Sequence, residues 1–195
     1  LDAARSCGIE IPTLCHINLK GTCVNNHPAS CRMCVVEVAK RSNLAPACAT
    51  ACTEGMEVHT NTIRVLNARR VVLELILSNH PHDCLICPKS GNCELQNLSR
   101  KLKIHESPYE GGEKSCHEVE RSVSIIRDMN KCILCRRCET MCNEVQTVGA
   151  IGARGRGFET SISPAFGKKL SESECTYCGQ CVAVCPVWAL TEKDN

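Results

Sequence analysis

The stretch that decides the fold is Cys132-Ile-Leu-Cys135-Arg-Arg-Cys138-Glu-Thr-Met-Cys142, and its spacing recurs in Cys175-Thr-Tyr-Cys178-Gly-Gln-Cys181-Val-Ala-Val-Cys185. Such a run of four cysteines, repeated once, is typical of two 4Fe-4S clusters, and the fourth cysteine of each run binds the cluster of the other run. This crossing rule predicts one cluster at Cys132, Cys135, Cys138 and Cys185. It predicts the second cluster at Cys142, Cys175, Cys178 and Cys181.

The composition supports a metal protein over a disulfide scaffold. The chain has 195 residues and 19 cysteines, a density typical of either class. Its odd cysteine count, its short intervals between thiols and the lack of a secretory signal pattern at Leu1 argue against disulfides. Zinc is the stronger alternative, but zinc sites are built from pairs of C-x2-C units. Runs of four cysteines therefore favour iron-sulfur clusters.

Few large aromatic side chains are present, with two Phe, two Tyr and one Trp. Because such side chains dominate ordinary cores, cluster ligation must supply part of the stability, and the metal-free chain is expected to be largely disordered. The longest apolar run, 71–77, is short and contains Glu74, so membrane insertion is not expected. These features predict a protein of a reducing cytoplasm.

The formal charge of +2 treats every thiol as neutral. Metal-bound thiols are deprotonated, so the loaded protein should carry a charge of about −5, which argues against nucleic acid as a partner. Several basic residues lie near the cysteine runs, and we expect them to screen cluster charge or to face a partner subunit. They are Lys131, Arg136, Arg137, Lys168 and Lys169.

A 2Fe-2S site is predicted in the first part of the chain, because two irons need two thiolates each. A C-x2-C turn precedes a predicted strand at 35–38, and further thiols flank it on both sides. The predicted ligands are Cys15, Cys31, Cys34 and Cys48. Cys23 is the alternative to Cys15. Cys15 is favoured because 9–14 reads as strand-like, whereas the segment around Cys23 is polar and rich in Asn.

A helix is predicted over 63–77, capped by Asn61 or Thr62 and ended by Asn79 and Pro81. Its expected apolar face comprises Val65, Leu66, Val72, Leu73, Ile76 and Leu77. Three cysteines follow directly after the helix, and no fourth cysteine at cluster spacing completes their set. The predicted ligands of a further 4Fe-4S cluster are His80, Cys84, Cys87 and Cys93.

His82 is the competing nitrogen ligand, but its closeness to Cys84 makes the same cluster harder to reach. Neutral imidazole in place of a thiolate removes a negative charge and should raise this cluster's reduction potential. The remaining thiols, Cys7, Cys52 and Cys116, have no partners at metal-binding spacing and are expected to be buried and inert.

The remaining segments are predicted to connect the cluster-binding motifs. Residues 101–120 are polar and predict a linker, and 123–127 predict a strand that leads into Cys132. The insertion 143–174 predicts a hairpin. Its Gly- and Arg-rich segment 152–157 is not followed by a helix start, so a phosphate-binding loop is disfavoured.

With these motifs in order, the chain resembles the N-terminal relay region of iron-only hydrogenases, particularly the multisubunit, NADP-reducing kind. The resemblance spans Ile-Pro-Thr-Leu-Cys15, Cys31-Arg-Met-Cys34, Pro-Ala-Cys48, His80 to Cys93-Glu-Leu-Gln, and both four-cysteine runs. The same order of motifs is shared by the large iron-sulfur subunit of respiratory NADH dehydrogenase, by diaphorase subunits of bidirectional hydrogenases and by some formate dehydrogenases.

The resemblance implies an α+β fold of three parts: a beta-grasp 2Fe-2S domain (1–60), a small helical His-ligated 4Fe-4S domain (61–118) and a two-4Fe-4S ferredoxin domain (119–195). It implies one 2Fe-2S and three 4Fe-4S clusters, and partner subunits that bind flavin and NAD(P) or carry iron-sulfur clusters, or ferredoxin. The first hairpin of the beta-grasp fold is expected before Leu1. A hydrogen-activating site is expected after Asn195 or on another subunit. The alternative is a diaphorase-type subunit with no catalytic domain.

Overall fold

The structure is a computed structural model that describes residues 1–19, 24, 28–112 and 117–193. Its α-helices are α1 Asp2–Ser6, α2 Ile63–Ser78, α3 Glu94–Lys101, α4 Arg137–Thr140 and α5 Gln180–Ala183, and short 3-10 or π-helical turns connect other segments. Its strands are β1 Val35–Val38, β2 Ala45–Pro46, β3 Val58–His59, β4 Glu120–Arg121, β5 Ile125–Arg127, β6 Gly152–Arg154, β7 Ser161–Ser163 and β8 Leu190–Glu192. The predicted mixture of helices and sheets is confirmed.

A three-stranded antiparallel sheet, ordered β2-β1-β3, forms the first part of the fold. The predicted strand at 35–38 is confirmed as β1. The prediction of a strand-like stretch at 9–14 is wrong, because the chain there has no strand. Leu14 and Cys15 are nevertheless buried, so packing against the core, and not a sheet, holds this segment in place.

Helix α2 begins and ends close to the predicted positions. The Thr62 side chain accepts a hydrogen bond from the Val65 backbone N–H at 3.3 Å, and Asn79 follows the last turn. This side-chain oxygen satisfies one of the N–H groups that the first helical turn leaves unpaired. The predicted cap and length of the helix are confirmed.

The predicted apolar face of α2 is only partly right. Val65 and Leu73 are fully buried, but Leu66 is 41% exposed. The charged residues Arg69 and Glu74 occupy buried positions instead. They are tolerated because the Arg69 guanidinium donates to the Val35 carbonyl oxygen at 2.8 Å and Arg70 pairs with Glu74 at 3.0 Å, and buried polar groups need such partners.

The last part of the fold contains a sheet ordered β4-β5-β8 and a separate hairpin, β6-β7, both antiparallel. The hairpin predicted within 143–174 is confirmed. The predicted strand at 123–127 is shorter, since β5 begins at Ile125 and Val123 is exposed. Helices α4 and α5 pack together beside this sheet.

One cluster of buried apolar residues runs through all three parts of the described chain, and a second, smaller cluster lies at the first sheet. The larger cluster contains Leu14 and Met33 near the N-terminus, Leu73 and Leu95 in the middle and Leu190 near the C-terminus. The predicted linker also contributes to this core through Ile104. Packing therefore holds the parts of the chain together directly.

Two thiols outside the predicted sites are exposed, so their predicted burial is wrong. Cys7 follows α1, and Cys52 lies in the connection before β3; neither packs into the core. Cys23 and Cys116 lie outside the described residues. In the part of the chain that the structure describes, no helix combines the length and the apolar character needed to cross a bilayer.

Candidate iron-sulfur centres

The thiols of the first part converge on one location. The Cys15 and Cys31 side chains hydrogen-bond to each other, and so do those of Cys34 and Cys48. Cys31 also lies within electrostatic range of Cys48, which joins the two pairs. Cys15 and Cys34 are buried, whereas Cys31 and Cys48 are partly exposed.

Backbone N–H groups surround these sulfurs. The N–H of Ala29 donates to Cys48 Sγ at 3.0 Å, and those of Ser30 and Cys31 donate to the Cys15 sulfur. The hydrogen bond from Cys31 lowers the pKa of Cys15 to about 7, while burial raises the pKa of Cys48 to about 11. Donors aimed at sulfur stabilise thiolates and are one means by which a protein sets a cluster's potential.

The second group lies in the loop between α2 and α3. Cys84 and Cys87 are within electrostatic range of Cys93, whose pKa is raised by burial. Cys84 is exposed at the loop surface, beside the fully exposed Leu85.

The two candidate histidines differ in their surroundings. His80 directly follows the cap of α2 and donates its backbone N–H to the Leu77 carbonyl oxygen at 2.9 Å. Its ring is partly buried, with Nδ1 shielded from solvent, whereas His82 is exposed.

The third and fourth groups have the crossed composition that the spacing predicts. Cys132, Cys135 and Cys185 all act electrostatically on Cys138, while Cys142, Cys175 and Cys178 act on Cys181. Cys181 also lies in electrostatic range of Cys138, so the two groups are neighbours. Cys135 and Cys138 are buried, and Cys178 is exposed.

Matching backbone conformations shape both four-cysteine loops. Residues on either side of the second cysteine have positive φ: Leu134 (55°) and Arg136 (63°) in the first loop, Tyr177 (54°) and Gly179 (74°) in the second. Left-handed residues turn the chain sharply, and they bend each loop around its thiols. The two halves are therefore related by structure as well as by sequence.

Burial makes ionised thiols costly in these two groups. It raises the pKa of Cys135 to about 12 and that of Cys181 to about 12, and the neighbouring thiols add to both shifts. Four closely spaced and partly buried sulfurs are deprotonated together only if a cation compensates them, which is what metal ligation does. This donor set fits an iron-sulfur cluster.

Small, almost wholly apolar cavities lie inside the two groups. One is bounded by Cys132, Cys135, Cys138 and Cys185. The other is bounded by Cys142, Cys175, Cys178 and Cys181. Among the described residues, no three His, Cys, Asp or Glu side chains surround a single point as one metal ion requires. The thiolates of a cluster bind different irons, so they need no common point.

Two of the predicted basic residues contact the neighbourhood of the thiols. Lys131 Nζ lies 4.0 Å from Cys87 Sγ and 3.0 Å from the Asp83 carboxylate. Arg137 forms a bidentate pair with Glu94. The acidic partners were missed by sequence reasoning, because nothing in the chain's spacing joins residues so far apart along the chain. Lys168 and Lys169 are exposed.

Four sulfur-rich groups, held by loops between short helices and small antiparallel sheets, define an iron-sulfur protein of the ferredoxin class. Residues 1–63 match a 2Fe-2S iron-sulfur cluster binding domain, residues 69–108 match the NADH-ubiquinone oxidoreductase-G iron-sulfur binding region, and residues 122–191 match the ferredoxin-like domain of NADH-quinone oxidoreductase subunit 3. The predicted 2Fe-2S and 4Fe-4S binding regions are thereby confirmed.

The chain is 60% identical, over its whole length, to the NADP-reducing hydrogenase subunit HndD of Solidesulfovibrio fructosivorans, of which it spans 33%. It is 37% identical over 99% of its length to the NADH-ubiquinone oxidoreductase 75 kDa subunit of Reclinomonas americana, of which it spans 27%. A chain in the crystal structure of an NAD+-reducing [NiFe]-hydrogenase in the H2-reduced state superposes with a TM-score of 0.87 at 30% identity, over 99% of this chain and 80% of that one. The protein belongs to the family of iron-sulfur regions that these oxidoreductase subunits share.

Proposed function

We propose that this chain is an electron relay that carries single electrons through one 2Fe-2S and three 4Fe-4S clusters. The observation that carries the proposal is the gathering of thiols into four groups in the composition expected for these clusters. Such clusters supply one-electron chemistry, while the protein supplies position, burial and hydrogen bonds. No side chain in these groups needs to act as an acid, base or nucleophile.

Each group supplies a defined ligand set. The 2Fe-2S cluster is held by Cys15, Cys31, Cys34 and Cys48. One 4Fe-4S cluster is held by His80, Cys84, Cys87 and Cys93. The others are held by Cys132, Cys135, Cys138 and Cys185, and by Cys142, Cys175, Cys178 and Cys181. The crossed ligation of the last two sets is supported by the electrostatic neighbours of Cys138 and Cys181.

Electrons reach the relay at its surface and move inside it through neighbouring sites. Among the proposed cysteine ligands only Cys84 and Cys178, both in described segments, are exposed. They mark the two sites most accessible to a partner. Arg137 lies in electrostatic range of both Cys135 and Cys15, which supports a path for electrons between the Cys135 site and the 2Fe-2S site.

The relay is proposed to serve a cytoplasmic, NAD(P)-linked hydrogenase of the iron-only type, with flavin- and NAD(P)-binding subunits or ferredoxin as its electron partners. The 60% identity to an NADP-reducing hydrogenase subunit supports this assignment. The hydrogen-activating site is proposed to lie outside these 195 residues.

A diaphorase-type subunit without a hydrogen-activating domain is the second candidate. It is favoured by the superposition on 80% of a chain from an NAD+-reducing hydrogenase. The intact mass of the native polypeptide separates the two candidates. A mass far above 21.3 kDa, with a further domain after Asn195, supports the first candidate, and a chain that stops near Asn195 supports the second.

Anaerobic metal and sulfide analysis tests the relay itself. The proposed clusters require roughly 14 iron and 14 acid-labile sulfide per chain, and any clusters elsewhere in the native protein would add to these values. Bound zinc with no acid-labile sulfide would instead identify a structural metal module and would exclude electron transfer by these groups.

A further inference from the structure

Two ion pairs, within the described part of the chain, connect residues 61–118 to residues 119–195. Arg137 donates from both terminal guanidinium nitrogens to the Glu94 carboxylate, at 2.6 and 2.8 Å. Lys131 Nζ lies 3.0 Å from the Asp83 carboxylate. All four residues directly adjoin proposed cluster ligands: Asp83 precedes Cys84, Glu94 follows Cys93, Lys131 precedes Cys132 and Arg137 precedes Cys138. Each pair therefore links a residue next to a ligand of one 4Fe-4S site to a residue next to a ligand of the other.

The backbone reinforces the first pair. The Glu94 N–H donates to the carbonyl oxygen of Pro186 at 3.0 Å, and Pro186 follows the ligand Cys185. Glu94 is thus tied to the neighbours of two ligands, Cys138 and Cys185, that belong to the same site. A bidentate arginine–carboxylate pair fixes orientation as well as distance. Helix α3, which begins at Glu94, is held against that site by three hydrogen bonds.

The two cations are largely shielded from solvent, whereas the side chains of their partners Glu94 and Asp83 are 47% and 31% exposed. Only 10% of the Arg137 side chain and 15% of the Lys131 side chain are exposed. Both terminal nitrogens of Arg137 are paired with the Glu94 carboxylate, and the guanidinium stays charged because arginine is not deprotonated in proteins. A fixed positive charge near a cluster favours the more negative, reduced state.

We propose that the pairs Arg137–Glu94 and Lys131–Asp83 fix the spacing of the two 4Fe-4S sites that they join, and that the two cations raise the reduction potential of the Cys135 site, whose ligands Cys132 and Cys138 they adjoin. The four residues are positioning residues and do not ligate iron. This inference rests on the proposed relay. It assigns the relative placement of the His80 site and the Cys135 site to four defined side chains.

The test uses the native protein, purified and reduced without oxygen, and compares Arg137→Gln and Arg137→Lys with the wild type. Arg137→Gln removes the charge and the bidentate pair, so the midpoint potential of the Cys135 site should fall. Magnetic interaction between this cluster and the cluster at the His80 site splits their electron paramagnetic resonance signals, and this splitting should be lost. Arg137→Lys keeps the charge and should restore the potential but only part of the splitting.

Arg136→Gln is the matched control. Arg136 also adjoins a ligand and pairs with a glutamate, but its partner Glu139 lies within the same four-cysteine run. This variant should leave the splitting unchanged. Should Arg137→Gln fail to fold, Glu94→Gln decides the matter, because loss of that negative charge beside the retained cation should shift the potential upward.

Unchanged potentials and unchanged splitting in fully loaded Arg137→Gln, or in Glu94→Gln, would overturn the inference while leaving the relay intact. A wild-type protein that lacks iron and sulfide would overturn the relay itself. The two failures are therefore distinguished by metal analysis of the wild type before any variant is compared.

Discussion

His80 is the one nitrogen ligand in the proposed sets, so its replacement should change a cluster's charge without dismantling the fold. His80→Cys adds a thiolate to the Cys84, Cys87 and Cys93 site, and the more negative cluster should have a lower reduction potential. His80→Ala removes the ligand and should weaken or abolish the same cluster. A redox titration followed by electron paramagnetic resonance measures both effects.

His82 provides the control, since it is exposed and lies two residues further along the loop. His82→Ala should leave the iron content and the spectrum unchanged. The choice of ligand is wrong if His82→Ala alters the cluster signal and His80→Ala does not.

A second prediction at the scale of single residues concerns whether Cys15 or Cys23 binds the 2Fe-2S cluster. Cys15 is buried and hydrogen-bonded to Cys31, so Cys15→Ser should lose or strongly change the 2Fe-2S signal. Cys23→Ser should retain it. The opposite pattern in the visible and paramagnetic spectra would assign the ligand to Cys23.

At this scale, the sequence was sufficient wherever chemistry enforces local spacing. The crossed thiol groups around Cys138 and Cys181 could be predicted because a cluster dictates short intervals between its ligands. The pairing of Arg137 with Glu94 could not, because it depends on how two distant loops dock. The exposure of Cys7 and Cys52 was missed because free thiols are usually buried and nothing local shows that these two sit in surface connections.

At the scale of elements, Arg69 connects helix α2 to strand β1. Arg69→Met removes the donor to the Val35 carbonyl oxygen and leaves that buried acceptor unsatisfied, which should cost about 1–3 kcal/mol of stability. The guanidinium chloride midpoint of the loaded protein, followed anaerobically by cluster absorbance, measures the loss.

Arg100→Met, on the exposed side of α3, is the matched control and should change the midpoint little, because surface substitutions are usually within about 0.5 kcal/mol of neutral. Equal midpoints for both variants would show that the Arg69 contact does not stabilise the protein.

Helix α2 shows how much of a helix can be predicted from the sequence pattern. Its cap at Thr62 and its length follow from local chemistry and were predictable. Its buried face was not, because Arg69 and Glu74 are buried by neighbours that a single helix does not reveal, while Leu66 is left at the surface. Segment 9–14 was misread for the same reason, since its order comes from the core and not from a sheet.

At the scale of the whole molecule, one core runs from Leu14 to Leu190 and contacts ligands of all four proposed cluster sites, while a smaller core holds Cys34 and Cys48 of the 2Fe-2S site. Removal of iron should therefore disorder all three parts together, since ligation and folding are coupled. Chelation under reducing conditions should abolish the near-ultraviolet circular dichroism and expand the molecule in solution scattering. A chelated chain that stays compact with native dichroism would show that the core alone specifies the fold.

The most direct test of the central claim is a complete anaerobic reduction followed by electron paramagnetic resonance with spin integration. A relay of one 2Fe-2S and three 4Fe-4S clusters, each accepting one electron, should give about four unpaired spins per chain from these sites. One signal, from the 2Fe-2S cluster, should disappear in Cys34→Ser. Metal-loaded protein that takes up no electrons and shows no paramagnetic signal would contradict the account.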